Sequence, residues 1–345
     1  MKKPLLKVFA GVLLLTTCIG CSSENVQKGT EYVTDADAVN ESSAEVSDAA
    51  TISDSVEESD ESDISGSEDS AEAEVTETAV EIDPSEDVIV FIGDSQFANA
   101  KEEGSSIPSL TGLILDANVY NLAIGGTTAA ITNGDDYVAG ETYSNTFINI
   151  ANAISGLADP DSISDENVAK TIRSINPEDV DFYVIEYGYN DFISKVAQSD
   201  NDTAYDYHLY SDALYLGINT LKNVSPNAQF ILCGPSYCLV YDNNGQYLGD
   251  GNITDLGYGT LADYANTCNG VANGLGITYI DTYYGTEFDL NGYSVDSYTE
   301  DGLHFNETGR QIYATVIAHY INKLKYDDVE ELDVIQISKF TFEYY

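Results

Sequence analysis

Val88-Ile89-Val90-Phe91-Ile92-Gly93-Asp94-Ser95 decides the fold. Five β-branched or aromatic apolar residues run without polar alternation, and a glycine ends them. This pattern suits a strand buried on both faces, which is the condition of a central strand in a parallel sheet. Four similar runs follow: Val119-Tyr120-Asn121-Leu122, Phe182-Tyr183-Val184-Ile185, Phe230-Ile231-Leu232 and Ile277-Thr278-Tyr279-Ile280. Helical stretches lie between them. The clearest is Thr308 to Lys325, where Ile312, Val316 and Tyr320 keep helical spacing and Asn306 is placed to cap the start. Strands alternating with helices predict a doubly wound, parallel α/β sheet. Asp242-Asn243-Asn244-Gly245 interrupts this alternation as a turn signal, so the stretch from Cys238 to Gly259 reads as an inserted hairpin.

Outward from this core the chain changes character. Residues 22–87 hold 22 of the 59 Asp and Glu residues, one basic residue (Lys28) and one aromatic (Tyr32). Such a segment has too little apolar surface to offset its ordering entropy, and it reads as a disordered acidic tether. Ahead of it, Lys2, Lys3 and Lys7 precede a short apolar run, Val8 to Thr17, and then Cys18-Ile19-Gly20-Cys21. This is the layout of a secretory signal peptide. Gly20-Cys21 resembles a bacterial lipobox, and Leu15-Thr16-Thr17-Cys18 is a weaker second one. The apolar run falls short of the roughly 20 residues that span a bilayer. The expected organisation is therefore a lipoprotein signal peptide over 1–21 with Cys21 lipidated, a tether over 22–87, a folded domain over 88–325 and a C-terminal extension over 326–345. The extension, acidic and then rich in Phe and Tyr, is expected to add an edge strand. The location expected is extracytoplasmic, on the bacterial cell membrane. A net charge of -46 excludes nucleic acid as a partner and disfavours anionic lipid surfaces, so membrane contact is expected only through the lipid.

Ser95 follows the first strand, at the carboxyl edge of the sheet where open α/β folds bind ligands. A serine needs an adjacent base to act as a nucleophile. The chain has three histidines: His208, His304 and His319. His319 falls within the last helix, and His208 in a polar, Tyr-rich stretch with no patterned acid. His304 lies in Asp301-Gly302-Leu303-His304, where an Asp three residues ahead can reach Nδ1 and leave Nε2 free for a serine. Glycines in Asn121-Leu122-Ala123-Ile124-Gly125-Gly126 let backbone N–H groups approach a ligand. Asn190 in Gly188-Tyr189-Asn190-Asp191 can point an amide into the same crevice. Of the mature cysteines, Cys238 and Cys268 can form a disulfide in an oxidising compartment, or all three with Cys233 stay as buried thiols.

Gly93-Asp94-Ser95, Gly126 with its Asn121 lead-in, Gly188-x-Asn190-Asp191 and Asp301-x-x-His304 together resemble the four sequence blocks of the SGNH (GDSL-like) hydrolases. The resemblance spans residues 88–325. It implies a three-layer α/β/α, flavodoxin-like fold with a five-stranded parallel sheet, serine esterase activity, and no metal or other cofactor. It also implies Ser95 as nucleophile, His304 as base and Asp301 as its orienting acid. The implied oxyanion donors are the Ser95 and Gly126 N–H groups and the Asn190 side chain. Three residues depart from the family pattern: Gln96 replaces the Leu of the strict motif, Phe305 stands where many members have Pro, and Glu186 replaces an apolar strand residue. Glu186 is read either as a structural hydrogen-bonding group or as a determinant of substrate choice.

A tethered enzyme outside the membrane meets polysaccharide. The 26 tyrosines, in the absence of any Trp, place Tyr205, Tyr207, Tyr210, Tyr241, Tyr247, Tyr283, Tyr284 and Tyr293 in expected loops, where rings can stack on sugars or simply cover the surface. The leading expectation is hydrolysis of acetyl esters on a glycan. Short-chain esterase or lysophospholipase activity is the runner-up, and a non-catalytic glycan-binding protein is the alternative from another class.

Overall fold

The computed structural model describes residues 86–132, 138, 144–200, 204–242 and 244–342. The signal peptide, Cys21 and residues 22–85 of the acidic segment lie outside them. In chain order the elements are β1 (Val88–Gly93), α1 (Ser95–Ala98), α2 (Ile107–Leu115), β2 (Asn118–Asn121), α3 (Phe147–Ile154), α4 (Glu166–Ser174), β3 (Phe182–Glu186), α5 (Tyr189–Ile193), α6 (Tyr210–Val224), β4 (Gln229–Cys233), β5 (Leu239–Tyr241), β6 (Tyr247–Asp250), α7 (Leu261–Leu275), β7 (Thr278–Ile280), α8 (Val295–Tyr298) and α9 (Glu307–Lys325).

The five expected strands form one parallel sheet in the order β2-β1-β3-β4-β7. β1 and β3 sit at its centre, and Ile89, Val90, Phe91 and Ile92 are fully buried, as their unbroken apolar run requires. Each such side chain contributes roughly 1.5–3 kcal/mol. The helices pack in two groups, α2 with α9, and α3 with α6 and α7, giving the layered α/β architecture. The strand order reverses between β1 and β3, which opens a crevice at their carboxyl ends. The expected hairpin is present as antiparallel β5 and β6. The last helix starts at Glu307, and the Asn306 side chain accepts the Gly309 N–H at 3.0 Å as its cap. Lys325 at its far end pairs with Asp87, just ahead of β1. Among the described residues no helix is long and apolar enough to cross a membrane.

Two expectations need correction, and one open alternative is decided. The C-terminal extension adds no edge strand within its described part. It makes one parallel bridge, Ile335 to Phe288, and a short 3-10 turn at Ile337–Lys339, and its Leu332, Ile335 and Phe340 pack on the core. Of the two readings of the cysteines the second holds: all three thiols are free and buried, and Cys268 Sγ faces the Cys233 carbonyl at 3.7 Å. Burial pushes all three thiols up, which keeps them protonated. Two of the tyrosines placed in surface loops are interior: Tyr210 begins α6 and donates to the Tyr187 carbonyl at 2.8 Å, and Tyr283 is also buried.

Gly217 of α6 lies against Phe147 of α3, where a Cβ would stand 2.3 Å from the ring. That ring is fully buried and packed on Tyr187, with centroids 5.6 Å apart, so it has little room to yield. Gly217→Ala is expected to lower stability by about 1–2 kcal/mol, because overpacking outweighs the gain in helix propensity. The measurement is urea unfolding, with a lower midpoint at unchanged slope. A raised midpoint would show that the two helices separate without loss.

Candidate active site

β1 ends at Gly93, and Asp94 caps the short α1 by accepting the Gln96 N–H at 3.0 Å. This turn lifts Ser95 to the first position of α1, at the carboxyl edge of the sheet. Gly93 is required here, because a Cβ would meet the Phe97 ring at 2.8 Å and the Glu186 carbonyl at 3.1 Å. Ser95 Oγ lies 3.0 Å from His304 Nε2. On the other side of that imidazole, Nδ1 lies 2.7 Å from Asp301 Oδ2. An Nδ1–H donated to the carboxylate leaves Nε2 as the acceptor facing the serine.

The His304 loop is built locally. Asp301 Oδ1 accepts the N–H groups of Leu303 and His304 at 3.0 and 2.7 Å, and Gly302 takes a positive φ of 86° to make the turn. Burial pushes the Asp301 carboxyl up, but the His304 ring and these two N–H groups outweigh it and hold it below its ordinary value. The Glu300 N–H donates to the His304 carbonyl at 2.9 Å, and the Leu239 N–H of the hairpin donates to the Gly302 carbonyl at 2.8 Å.

Gln96 links this loop to the nucleophile turn. It is buried, its Nε2 donates to the Leu303 carbonyl at 2.9 Å, and its Oε1 faces the Phe305 N–H at 3.5 Å. Two of the three departures from the family pattern, Gln96 and Phe305, therefore meet each other. Proline after His304 would offer no N–H to Gln96, and leucine at residue 96 could hold neither group. Phe305 packs among Phe288, Tyr298 and Tyr313.

The other two motifs flank Ser95. Asn121 donates to the Phe97 carbonyl at 2.9 Å and accepts the Ala123 N–H at 3.0 Å, so it ties the second block to the nucleophile turn. Gly125 lines the pocket with Ser95 and His304; Gly126 follows at a φ of 76°, outside that lining. Gly188 is forced by space, since a Cβ would stand 2.7 Å from the Tyr210 hydroxyl. Asn190 Nδ2 donates to Asp94 Oδ2 at 2.9 Å, which places it beside the nucleophile turn. Asp191 accepts the N–H groups of Ala129 and Ala130 at 2.9 and 3.1 Å, binding the end of β3 to the segment after β2. Burial nevertheless pushes its carboxyl up to about 7. Asp94 and Glu186 complete a group of three buried acids. Neither remaining histidine reaches the site: His208 Nδ1 donates to the Ile131 carbonyl at 2.9 Å, and His319 stays within α9 beside Tyr320.

Sequence reasoning names Ser95, His304 and Asp301, which meet in one pocket, Asn190, which sits buried beside the nucleophile turn, and Gly126, which lies outside the pocket lining. It did not identify what Asp94, Gln96 and Asp191 do. Asp94 and Asp191 were already inside the quoted motifs, and their type, acids next to a strand end, was the available signal. Gln96 was noted only as a departure.

The model of the GDSL-like lipase/acylhydrolase family matches residues 89–317. One crystal structure superposes with a TM-score of 0.52 at 22% identity, over 69% of this chain and 97% of the other. A protein from Lactobacillus plantarum gives 0.49 at 16% identity, over 69% and 97%. A possible lipase from Chitinophaga pinensis DSM 2588 gives 0.47 at 16%, over 69% and 98%. No curated protein sequence matches the chain significantly. At these identities the solved structures speak only to the fold, and the match of the family model over two thirds of the chain carries the relationship: the chain belongs to the GDSL-like lipase/acylhydrolase family, the SGNH hydrolases, and is an ester hydrolase.

Proposed function

We propose that the chain hydrolyses short-chain, above all acetyl, esters on a glycan through a Ser95-His304-Asp301 triad. The observation that carries this reading is the unbroken hydrogen-bonded line from Ser95 Oγ through the imidazole to Asp301, at 3.0 and 2.7 Å. Ser95 Oγ attacks the ester carbonyl while His304 Nε2 takes its proton, and Asp301 stabilises the resulting imidazolium. The tetrahedral oxyanion is held by the Ser95 and Gly126 N–H groups and the Asn190 amide. Its collapse breaks the acyl C–O bond, and His304 gives the proton to the departing alcohol. A water activated by the same imidazole then releases the acid and frees Ser95.

The size and lining of the site support a small acyl group. The cavity at Ser95 is about 330 Å³ and open, lined by Ala98, Asn99, Gly125, Glu300, Asp301 and His304, with no large apolar side chain. A long acyl chain needs apolar walls. A second groove of about 570 Å³ shares Ala98, Asn99 and Gly125 and continues past Lys101, Asp165 and Asn167. Its polar walls suit a hydroxyl-rich leaving group such as a sugar. We further propose that Cys21 carries a lipid that anchors the enzyme outside the cell, which motivates an acidic, tethered enzyme acting on surface polymers.

Acetate release from O-acetylated glycans, with lysophospholipid and p-nitrophenyl acetate as comparisons, tests the substrate class; preference for the lysophospholipid would sink the glycan reading. Ser95→Ala should abolish labelling by a fluorophosphonate probe, and labelling that survives would reject the nucleophile. Asp301→Asn should lower kcat less than Ser95→Ala, by up to about four orders of magnitude. Asn190→Ala should lower kcat by roughly 10²–10³ with KM almost unchanged, as expected of an interaction made in the transition state. A raised KM at normal kcat would place Asn190 in substrate binding.

Gln96→Leu, which restores the strict family residue, should lower kcat here by about fivefold. One neutral buried hydrogen bond corresponds to roughly 1 kcal/mol, and the loop loses its brace. Wild-type kcat in Gln96→Leu would show that the aromatic packing of Phe305 suffices.

A further inference from the structure

Glu186 ends β3 in full burial, in register with Gly93 on one side and Cys233 on the other. It lies under the nucleophile turn. Neither of its oxygens has a hydrogen-bond partner of good geometry among the described residues; the Asp94 backbone N–H approaches the carboxyl without completing such a bond. Its titratable surroundings are acids or neutral groups: Asp94 after β1, the adjacent Tyr187, Asp191 on α5, Cys233 on β4, Cys268 on α7 and Tyr313 on α9. Arg310, the buried cation of the described residues, is committed to the Ser105 and Phe305 carbonyls and to Glu300. A buried carboxylate without donor or counter-charge takes up a proton rather than persist. Burial, and then the neighbouring Asp94 charge, push the Glu186 carboxyl well above its ordinary value.

The Asp94 carboxyl is within hydrogen-bonding reach of Glu186. Two carboxyls can bond only when one carries a proton. Asp94 accepts the Gln96 N–H and the Asn190 amide, at 3.0 and 2.9 Å, and both favour its ionised form. Against these two well-formed bonds Glu186 has only the imperfectly placed Asp94 N–H, so the shared proton belongs to Glu186.

We propose that Glu186 is a neutral carboxylic acid that donates its proton to Asp94, and thereby fixes the carboxylate that aims the Asn190 amide at the oxyanion. Glu186 is thus a positioning residue. Asp94 uses one hydrogen of the Asn190 amide and leaves the other for the substrate. Loss of the Glu186 proton would bring two negative charges together and release that amide. The proposal rests on the reading of Ser95 as nucleophile and Asn190 as oxyanion donor.

Infrared difference spectra at neutral pH between wild type and Glu186→Gln test the protonation directly. The wild type should show a protonated-carboxyl C=O band that the variant lacks. On p-nitrophenyl acetate, Glu186→Leu should lower kcat at least about tenfold, toward the loss seen when an oxyanion donor is removed, with KM within about twofold. Glu186→Gln, whose amide donates to Asp94 in place of the acid, should recover kcat to within about threefold of wild type. Stability gives a further readout. An acid neutral in the fold and ionised when unfolded loses stability as pH rises above its unfolded value. The melting temperature of Glu186→Gln relative to wild type should therefore climb between about pH 5 and pH 8. Asp191 titrates in both proteins, so only its coupling to Glu186 enters this difference. If Glu186→Leu does not fold, the infrared band and the pH dependence of the Gln variant decide. No band lost, a stability difference flat with pH, or a Gln variant as slow as the Leu variant overturns the proposal. Hydrolysis that survives Ser95→Ala would instead remove the catalytic reading, and the band would still report the state of Glu186.

Discussion

Ser95 Oγ and His304 Nε2 stand 3.0 Å apart although 209 residues separate them in the chain. Their own hydrogen bond contributes about 1 kcal/mol. Closing a loop of that length opposes contact by about 5 kcal/mol. The pair therefore cannot hold itself together, and the rest of the domain must do so. On one side stands β1, locked at the sheet centre by residues that are wholly buried. On the other, the His304 loop is pinned by Asp301, by the hairpin at Leu239, by Phe305 in its aromatic cluster and by α9 behind it. Gln96 spans the gap between the two sides.

The sheet order supplies the second half of the site. Because β1 and β3 are neighbours with helices leaving in different directions, the turns after them face each other across the crevice. Asp94 and Asn190 meet there through a side-chain hydrogen bond, and Asp191 and Asn121 fasten the segment after β2 to the same corner. Each of these groups satisfies backbone or side-chain donors that the turns would otherwise leave open in a buried region. The polar residues of the four motifs thus serve the architecture of the crevice as well as its chemistry.

Acid is used in two physical regimes. Most carboxylates of the described residues stand partly or fully in water, and the net charge of the chain sets its interactions with other polymers. Asp94, Glu186 and Asp191 are removed from water, and their protonation is governed by the donors around them. Asp191 has two backbone N–H groups, while Glu186 faces another carboxyl. Sequence composition treats these acids alike, although only burial separates them.

Local pattern alone determined a large part of this protein. The apolar runs at 88–92, 182–185 and 230–232 are strands because nothing else buries such segments on both faces, and the Asn306 cap and the 242–245 turn are written in adjacent residues. Ser95, Asp301 and His304 were legible for the same reason: the acid and the base are three residues apart, and the serine directly follows a strand. What depends on distant partners was not legible. Whether Cys238 meets Cys268, whether Tyr210 and Tyr283 reach solvent, and whether the tail pairs as a strand all turn on which surfaces the packed layers bring together. Gln96 and Phe305 looked like two unrelated departures, and only the fold, which sets them side by side across 209 residues, made them one hydrogen-bonded brace. Glu186 is the clearest case. Its residue type follows from the sequence, but its lack of a well-placed donor among the described residues follows from the strands and helices that close around it, and that enclosure is what sets the chemistry of a carboxyl group.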